Sequence, residues 1–114
     1  MADTVFHKII KREIPADIVY EDEVALAFRD LAPQAPVHIL IVPKKTIPSL
    51  REMTSEDVSI VGHLLLVANQ LAAKLGLNET GYRVVTNAGE HAGQSVFQLH
   101  FHLLGGRDFS WPPG

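Results

Sequence analysis

Val96-Phe97-Gln98-Leu99-His100-Phe101-His102-Leu103-Leu104 is the stretch on which the reading of this chain turns. Apolar and polar residues alternate along it, which is the period of a half-buried β-strand. Gln98, His100 and His102 share one face, spaced by about 7 Å, twice the rise per residue. Phe97, Leu99, Phe101 and Leu103 take the other face and are expected in the core. Two imidazoles separated by one residue can be a solvated pair, a metal site or reactive groups, and the flanks favour the last. Upstream runs Gly89-Glu90-His91-Ala92-Gly93-Gln94-Ser95. Such a Gly-rich turn can aim backbone N–H groups at an anion, and Ser95 adds a hydroxyl. Gly105-Gly106-Arg107 follows the strand. With a phosphate held there, one neutral imidazole can attack phosphorus while its neighbour donates to an oxygen. An unperturbed pKa of about 6.5 leaves imidazole mostly neutral at pH 7.

Outward from that strand, the other elements follow from pattern. Asp3 or Thr4 can cap a short helix carrying Val5, Phe6, Ile9 and Ile10, which Ile14-Pro15 ends. Ile18-Val19-Tyr20 and Val24 to Phe28 read as a hairpin, although Asp-Glu is a poor turn pair. His38-Ile39-Leu40-Ile41-Val42 reads as a strand closed by Pro43. Thr54 with Asp57 resembles a capping box opening a long helix. Val58, Val61, Leu64, Leu65, Ala68, Leu71, Ala72 and Leu75 form its apolar stripe, and Gly76 stops it. Ile60, Leu66 and Val67 fall outside the stripe, so a second apolar face is expected to meet another copy of the chain. Tyr82 to Thr86 is a further strand. Five strands and two helices in this order predict an α+β fold with a mostly antiparallel sheet.

Composition bounds the chemistry. With 114 residues, residues 1–114 are expected to form a single domain. The absence of Cys removes disulfides, thiolate nucleophiles and Cys-type zinc sites. A net charge of −3 argues against a broad nucleic-acid footprint. No apolar run is long enough to span a membrane, and Met1-Ala2-Asp3-Thr4 does not read as a secretory signal. A soluble, cytoplasmic protein is expected.

The motifs together resemble a known family. Gln98-Leu99-His100-Phe101-His102-Leu103-Leu104 is similar to the histidine-triad motif, His-φ-His-φ-His-φ-φ, with Gln in place of the first His. Phe6-x-Lys8-Ile9-Ile10-x-x-Glu13-Ile14-Pro15, Phe28-Arg29-Asp30-Leu31-Ala32-Pro33-Gln34-Ala35-Pro36, His38 to Lys45, Gly93-Gln94-Ser95-Val96 and Trp111-Pro112-Pro113-Gly114 resemble the Hint branch, the histidine-triad nucleotide-binding proteins. The resemblance covers essentially the whole chain.

It implies a homodimer whose two five-stranded sheets join. It implies hydrolysis of purine nucleoside 5′-phosphoramidates, such as adenosine 5′-monophosphoramidate, and of related acyl-nucleotides, with no metal or cofactor. In that reading His100 is the nucleophile that forms a nucleotidyl-histidine, and His102 contacts the phosphate and helps the leaving group depart. Ser95 and Asn87 contact phosphate and leaving group, and the Gly93-Gln94 backbone, next to Val96, shapes the loop. Asp30 holds the ribose hydroxyls. Phe6, Ile9, Ile14, Phe28 and Leu31 form the slot for the base. Trp111 belongs to the C-terminal dimer region.

Gln98 departs from the pattern. Gln can hold geometry but cannot share a proton, so an active enzyme with altered rate or pH dependence is expected. The alternative is a nucleotide-binding regulatory or scaffold protein with weak or lost catalysis. His38 is expected behind Gln98 on the neighbouring strand, as support for the nucleophile or as a plain strand-start residue. His63, His91, His7 and Arg107 receive no catalytic role. Metal binding through His38, His100 and His102 ranks low, because no carboxylate stands beside them at ligand spacing. A uridylyltransferase-like role also ranks low, since its motif places Gln at the other end.

Overall fold

Side chains of the third strand divide the molecule into two layers. The computed structural model describes residues 3–114. Its elements are α1 (Val5–Ile10), β1 (Ile18–Glu21), β2 (Ala25–Arg29), β3 (Val37–Pro43), α2 (Val58–Lys74), β4 (Tyr82–Val85) and β5 (Phe101–Gly105), with short 3-10 turns at Leu50–Glu52, Ser55–Asp57 and Glu90–Ala92. The strands form one antiparallel sheet in the order β1-β2-β3-β5-β4. Ile39 and Ile41 of β3 join Ala25, Ala27, Phe101 and Leu103 beneath α2. Leu40 and Val42, one residue out of phase, join Leu26 and Phe28 beneath Phe6 and Ile9 of α1. His38 and His102 have the phase of the α1 side.

The hairpin turn works through Asp22 rather than through a favourable turn pair. Its Oδ1 accepts from the N–H groups of Val24 and Ala25 at 2.7 and 2.8 Å. Its Oδ2 accepts from Tyr20 Oη and His63 Nε2, each at 2.6 Å, which ties α2 to the hairpin. Burial opposes ionisation of Asp22, but these hydrogen bonds outweigh it and hold the carboxyl well below its ordinary range.

The capping box is present, on the 3-10 turn that leads into α2. Asp57 accepts from Thr54 N at 3.0 Å, and the Thr54 hydroxyl accepts from Glu56 N at 3.3 Å. Gly76 ends α2 with φ +78°. The buried face of α2 is rotated from the expected stripe. Leu64, Val67, Ala68, Leu71 and Ala72 are buried, whereas Val58, Leu65 and Leu66 are exposed. Val67 therefore belongs to the core.

The last strand is shorter than expected. β3 ends at Pro43, which has no N–H to offer, and the last pair of the ladder is Ile41 with Phe101. Residues ahead of Phe101 turn to the 43–47 loop instead: Leu99 N donates to Ile47 O at 2.7 Å. Leu99, Phe101 and Leu103 are buried as expected, but Phe97 lies outside the strand and is 43% exposed.

Candidate active site

His100 stands where the irregular segment enters β5. It is buried, and the ring of Phe6 meets it edge-on with centroids 4.8 Å apart. Its Nδ1 lies 2.8 Å from the carbonyl oxygen of Gln98. A carbonyl only accepts, so the proton of neutral His100 sits on Nδ1 and the lone pair on Nε2. Burial lowers the His100 pKa, against weaker opposing pulls from the Gln98 carbonyl and Asp30.

The same bookkeeping fixes the next two rings. Gln34 N donates to His38 Nδ1 at 3.0 Å, so the proton of His38 is on Nε2. That nitrogen is 2.9 Å from His102 Nδ1, which must accept, leaving His102 with its proton on Nε2. Burial and then the neighbouring rings of His100 and His38 push the His102 pKa down to about 4. Burial also lowers that of His38, partly offset by Asp30. The site thus presents neutral imidazoles: one bare Nε2 on His100 and one Nε2–H on His102.

A cavity of about 260 Å³ opens beside these rings. Phe6, Ile9, Phe28 and Leu40 wall it, with Asp30, Ser95, Val96, His100 and His102 around them. Phe6, Ile9 and Phe28, three of the residues expected to form the base slot, thus meet around one cavity, and the other two stand differently. Leu31 lines it only from the rim, being 95% exposed. Ile14 is half-buried and packs behind the wall in the α1 cluster. Asp30 Oδ1 accepts from Ala32 N at 2.8 Å, and its Oδ2 lies 3.5 Å from His38 Nε2.

Other expectations need correction. His38 pairs with Leu104 in the ladder and touches His102, not Gln98. The Gln98 side chain is fully buried and staples the 43–47 loop. Its Nε2 donates to Pro43 O and Lys45 O at 3.0 and 2.8 Å, and its Oε1 accepts from Ile47 N at 3.1 Å. Gln98 thus reaches His100 through its main-chain carbonyl. The Gly93 and Gln94 N–H groups are spent within their own loop, on Glu90 O and Gly89 O. Gln94 braces that loop by donating to Pro48 O and Val96 O and accepting from Gly89 N. Ser95 and Val96 remain as the loop's contribution to the cavity. Asn87 lines a second cavity, which His102 also lines. Trp111, expected in the C-terminal dimer region, is exposed in the single chain.

A carboxylate does stand at ligand spacing. One donor atom each from Asp30, His38 and His102 lie within 4.8 Å of one another. A cation there would have to displace the proton shared between His38 and His102. Sequence reasoning also missed His7, which is buried, caps α1 by accepting from Thr4 N at 3.0 Å, and reaches Thr46 Oγ1 at 3.1 Å. Only the Thr4-x-x-His7 spacing hinted at it.

The fold and this cluster of rings define a histidine-triad site, and comparison with known proteins agrees. Residues 11–109 match the HIT domain, and the chain belongs to that family. It is 62% identical, over 98% of its length and 97% of the relative's, to an uncharacterised HIT-like protein of Synechococcus elongatus. The crystal structure of a HIT family hydrolase from Legionella pneumophila matches with TM-score 0.96 and 47% identity, covering 98% of this chain and all of that one. A histidine triad nucleotide-binding protein from Candida albicans matches with TM-score 0.82 and 33% identity, covering 96% of this chain and 83% of that one. No helix among the described residues is long and apolar enough to cross a membrane.

Proposed function

We propose that this protein is a nucleoside phosphoramidate hydrolase of the Hint branch, acting on purine nucleoside 5′-phosphoramidates and related acyl-nucleotides. The observation that carries the reading is the bare Nε2 of His100 at the wall of an apolar slot, with Ser95 and the Nε2–H of His102 beside it. The hydrolase and nucleotide-binding descriptions of the structural relatives support the same class.

The base lies between Phe6, Ile9 and Phe28, and Asp30 takes the ribose hydroxyls by charge-assisted hydrogen bonds. The His100 Nε2 lone pair attacks phosphorus, the P–N bond breaks, and its electrons leave with the amine, which takes one proton from solvent. His102 Nε2–H and Ser95 Oγ–H hold the phosphate oxygens through this step. Water then attacks the nucleotidyl-His100, the P–Nε2 bond breaks, and the water's proton returns to solvent. Because Nδ1 of His100 keeps its proton on the Gln98 carbonyl, the covalent intermediate carries a positive ring that departs readily.

The non-catalytic alternative rested on Gln98. With its amide engaged by the 43–47 loop, that residue gives no reason to expect lost turnover. A homodimer remains part of the proposal, supported by the exposed Val58, Leu65 and Leu66 on α2. Incubation with adenosine 5′-monophosphoramidate is the test. Release of ammonia and AMP is expected, and tight AMP binding without turnover would put the binding role in its place.

Two further results follow from the geometry. The reaction needs neutral His100, whose pKa burial has lowered. The acid limb of kcat/KM is therefore expected below the ordinary imidazole value of about 6.5, with activity lost as pH falls through it. Asp30→Asn keeps the shape but removes the charge. A rise of roughly tenfold in KM for the ribonucleotide is expected, with a smaller ribose-to-2′-deoxyribose preference, as steady-state kinetics on both sugars would read.

A further inference from the structure

Phe6 and His7 are neighbours on α1 with different tasks. Phe6 walls the slot and meets the ring of His100, whereas His7 is buried and does not line the slot. We infer that His7 is a positioning residue for the reaction: its ring ties α1 to the 43–47 loop and so fixes Phe6 and Ile9 as walls of the nucleotide slot. This role rests on the hydrolase reading, and it falls at a position that the motif Phe6-x-Lys8-Ile9-Ile10 leaves open.

α1 has six residues, well below the roughly 12 at which an isolated helix becomes even marginal in water. It depends on its cap and on what it packs against. Thr4 Oγ1 accepts from His7 N at 3.3 Å, and Thr4 N donates to His7 Nδ1 at 3.0 Å. These are the two halves of a capping box, with His where Glu or Gln usually stands. The Thr4 hydroxyl is a second donor to the same nitrogen, at 2.9 Å. Because Nδ1 accepts, the proton of the neutral ring is on Nε2, and that N–H donates to Thr46 Oγ1 at 3.1 Å. Both nitrogens of His7 are therefore spent, one on the start of α1 and one on a loop 39 residues away.

That loop also backs the nucleophile. Thr46 precedes Ile47, whose N–H donates to Gln98 Oε1 and whose carbonyl takes Leu99 N. The main-chain carbonyl of Gln98 in turn holds His100 Nδ1. The segment that carries His100 and the helix that carries the apolar wall are thus fastened to one loop, the first by Gln98 and the second by His7. Among the described residues, no other side-chain hydrogen bond joins α1 to this loop. The rest of the helix's anchorage is apolar, Phe6 and Ile9 against Leu26, Phe28, Leu40 and Val42. Apolar contact is non-directional, so it keeps α1 on the sheet without fixing its rotation. With the tether lost, the slot is correctly formed in only a fraction of molecules, and affinity falls by that fraction. The base meets Phe6 and Ile9 alike before and during the reaction, so the loss appears in KM and not in kcat.

Steady-state kinetics on adenosine 5′-monophosphoramidate, paired with an AMP titration, test this role in three variants. His7→Ala is expected to raise KM and the AMP Kd together by roughly three- to tenfold, with kcat within about twofold of wild type. His7→Gln is expected to stay within about twofold of wild type in KM, since its Oε1 can accept from Thr4 N while its Nε2 donates to Thr46. Thr46→Val leaves the cap and removes the tether; KM is expected to rise roughly two- to fivefold, and adding it to His7→Ala is expected to cost little more. A merely structural His7 would reduce the folded fraction, which lowers apparent kcat at unchanged KM. Unchanged KM in His7→Ala, or a His7→Gln protein as impaired in KM as His7→Ala, overturns the inference and leaves the hydrolase standing. If His7→Ala does not fold, Thr46→Val decides in its place, and an unchanged KM there overturns the inference. No turnover by the wild type overturns both.

Discussion

His100→Ala is expected to lower kcat on adenosine 5′-monophosphoramidate by on the order of ten-thousandfold, the scale on which removal of a covalent nucleophile acts. No neighbour can take over. His102 presents a proton rather than a lone pair to the cavity, because its Nδ1 is occupied by His38. His38 has both nitrogens engaged, by Gln34 N and by His102. AMP affinity is expected to change far less, since Phe6, Ile9, Phe28 and Asp30 remain. Single-turnover kinetics and an AMP titration on the same preparation separate the two effects. A variant that loses binding and turnover in equal measure would point to a collapsed slot instead of a missing nucleophile.

Gln98→Leu is expected to cost about 3 kcal/mol or more of unfolding free energy, although Leu nearly matches Gln in volume. The loss is polar. Pro43 O and Ile47 N would be left buried without the amide, and the half-buried Lys45 O would lose its donor, at about 1–3 kcal/mol for each unsatisfied buried group. Gln98→His restores the usual motif yet is expected to destabilise by about 1–2 kcal/mol, because a neutral imidazole offers one donor where two carbonyls must be met. Denaturant unfolding of both variants measures this. A Gln98→His protein as stable as wild type would mean that the 43–47 loop adapts to the imidazole.

These residues also show where sequence pattern informs and where it stops. Alternation of polar and apolar residues placed Leu99, Phe101 and Leu103 inside, because a strand's period belongs to that strand alone. It could not say that the ladder stops at Phe101, since that depends on Pro43 of another strand. On α2 a stripe drawn from apolarity took in Val58 and Leu65 and left out Val67. Helical period defines several apolar rows, and only the sheet beneath chooses among them.

The site was legible as a set of residues and not as a set of partners. His100, His102, Ser95, Asp30, Phe6, Ile9 and Phe28 do meet around one cavity. The pairing of His38 with His102 joins residues 64 apart in sequence. Gln98 lies on an irregular segment, and its backbone partners are the last residue of β3, Pro43, and two residues of the loop after it, Lys45 and Ile47, where no period exists to read. The carboxylate beside the histidines escaped notice because Asp30 comes from the end of β2, and only the sheet order brings it to His38. Asp22 shows the same effect on stability: its short side chain makes the turn that the Glu21-Asp22-Glu23 sequence alone disfavours.

The covalent step is open to one direct measurement. Wild-type protein is mixed with a purine nucleoside phosphoramidate, quenched during turnover in alkaline denaturant, weighed intact, and mapped by peptide. One nucleotidyl group per chain, carried on His100, is expected in the wild type and absent from His100→Ala. Sustained turnover with no adduct on His100, or turnover that survives in His100→Ala, would contradict nucleophilic catalysis by this residue.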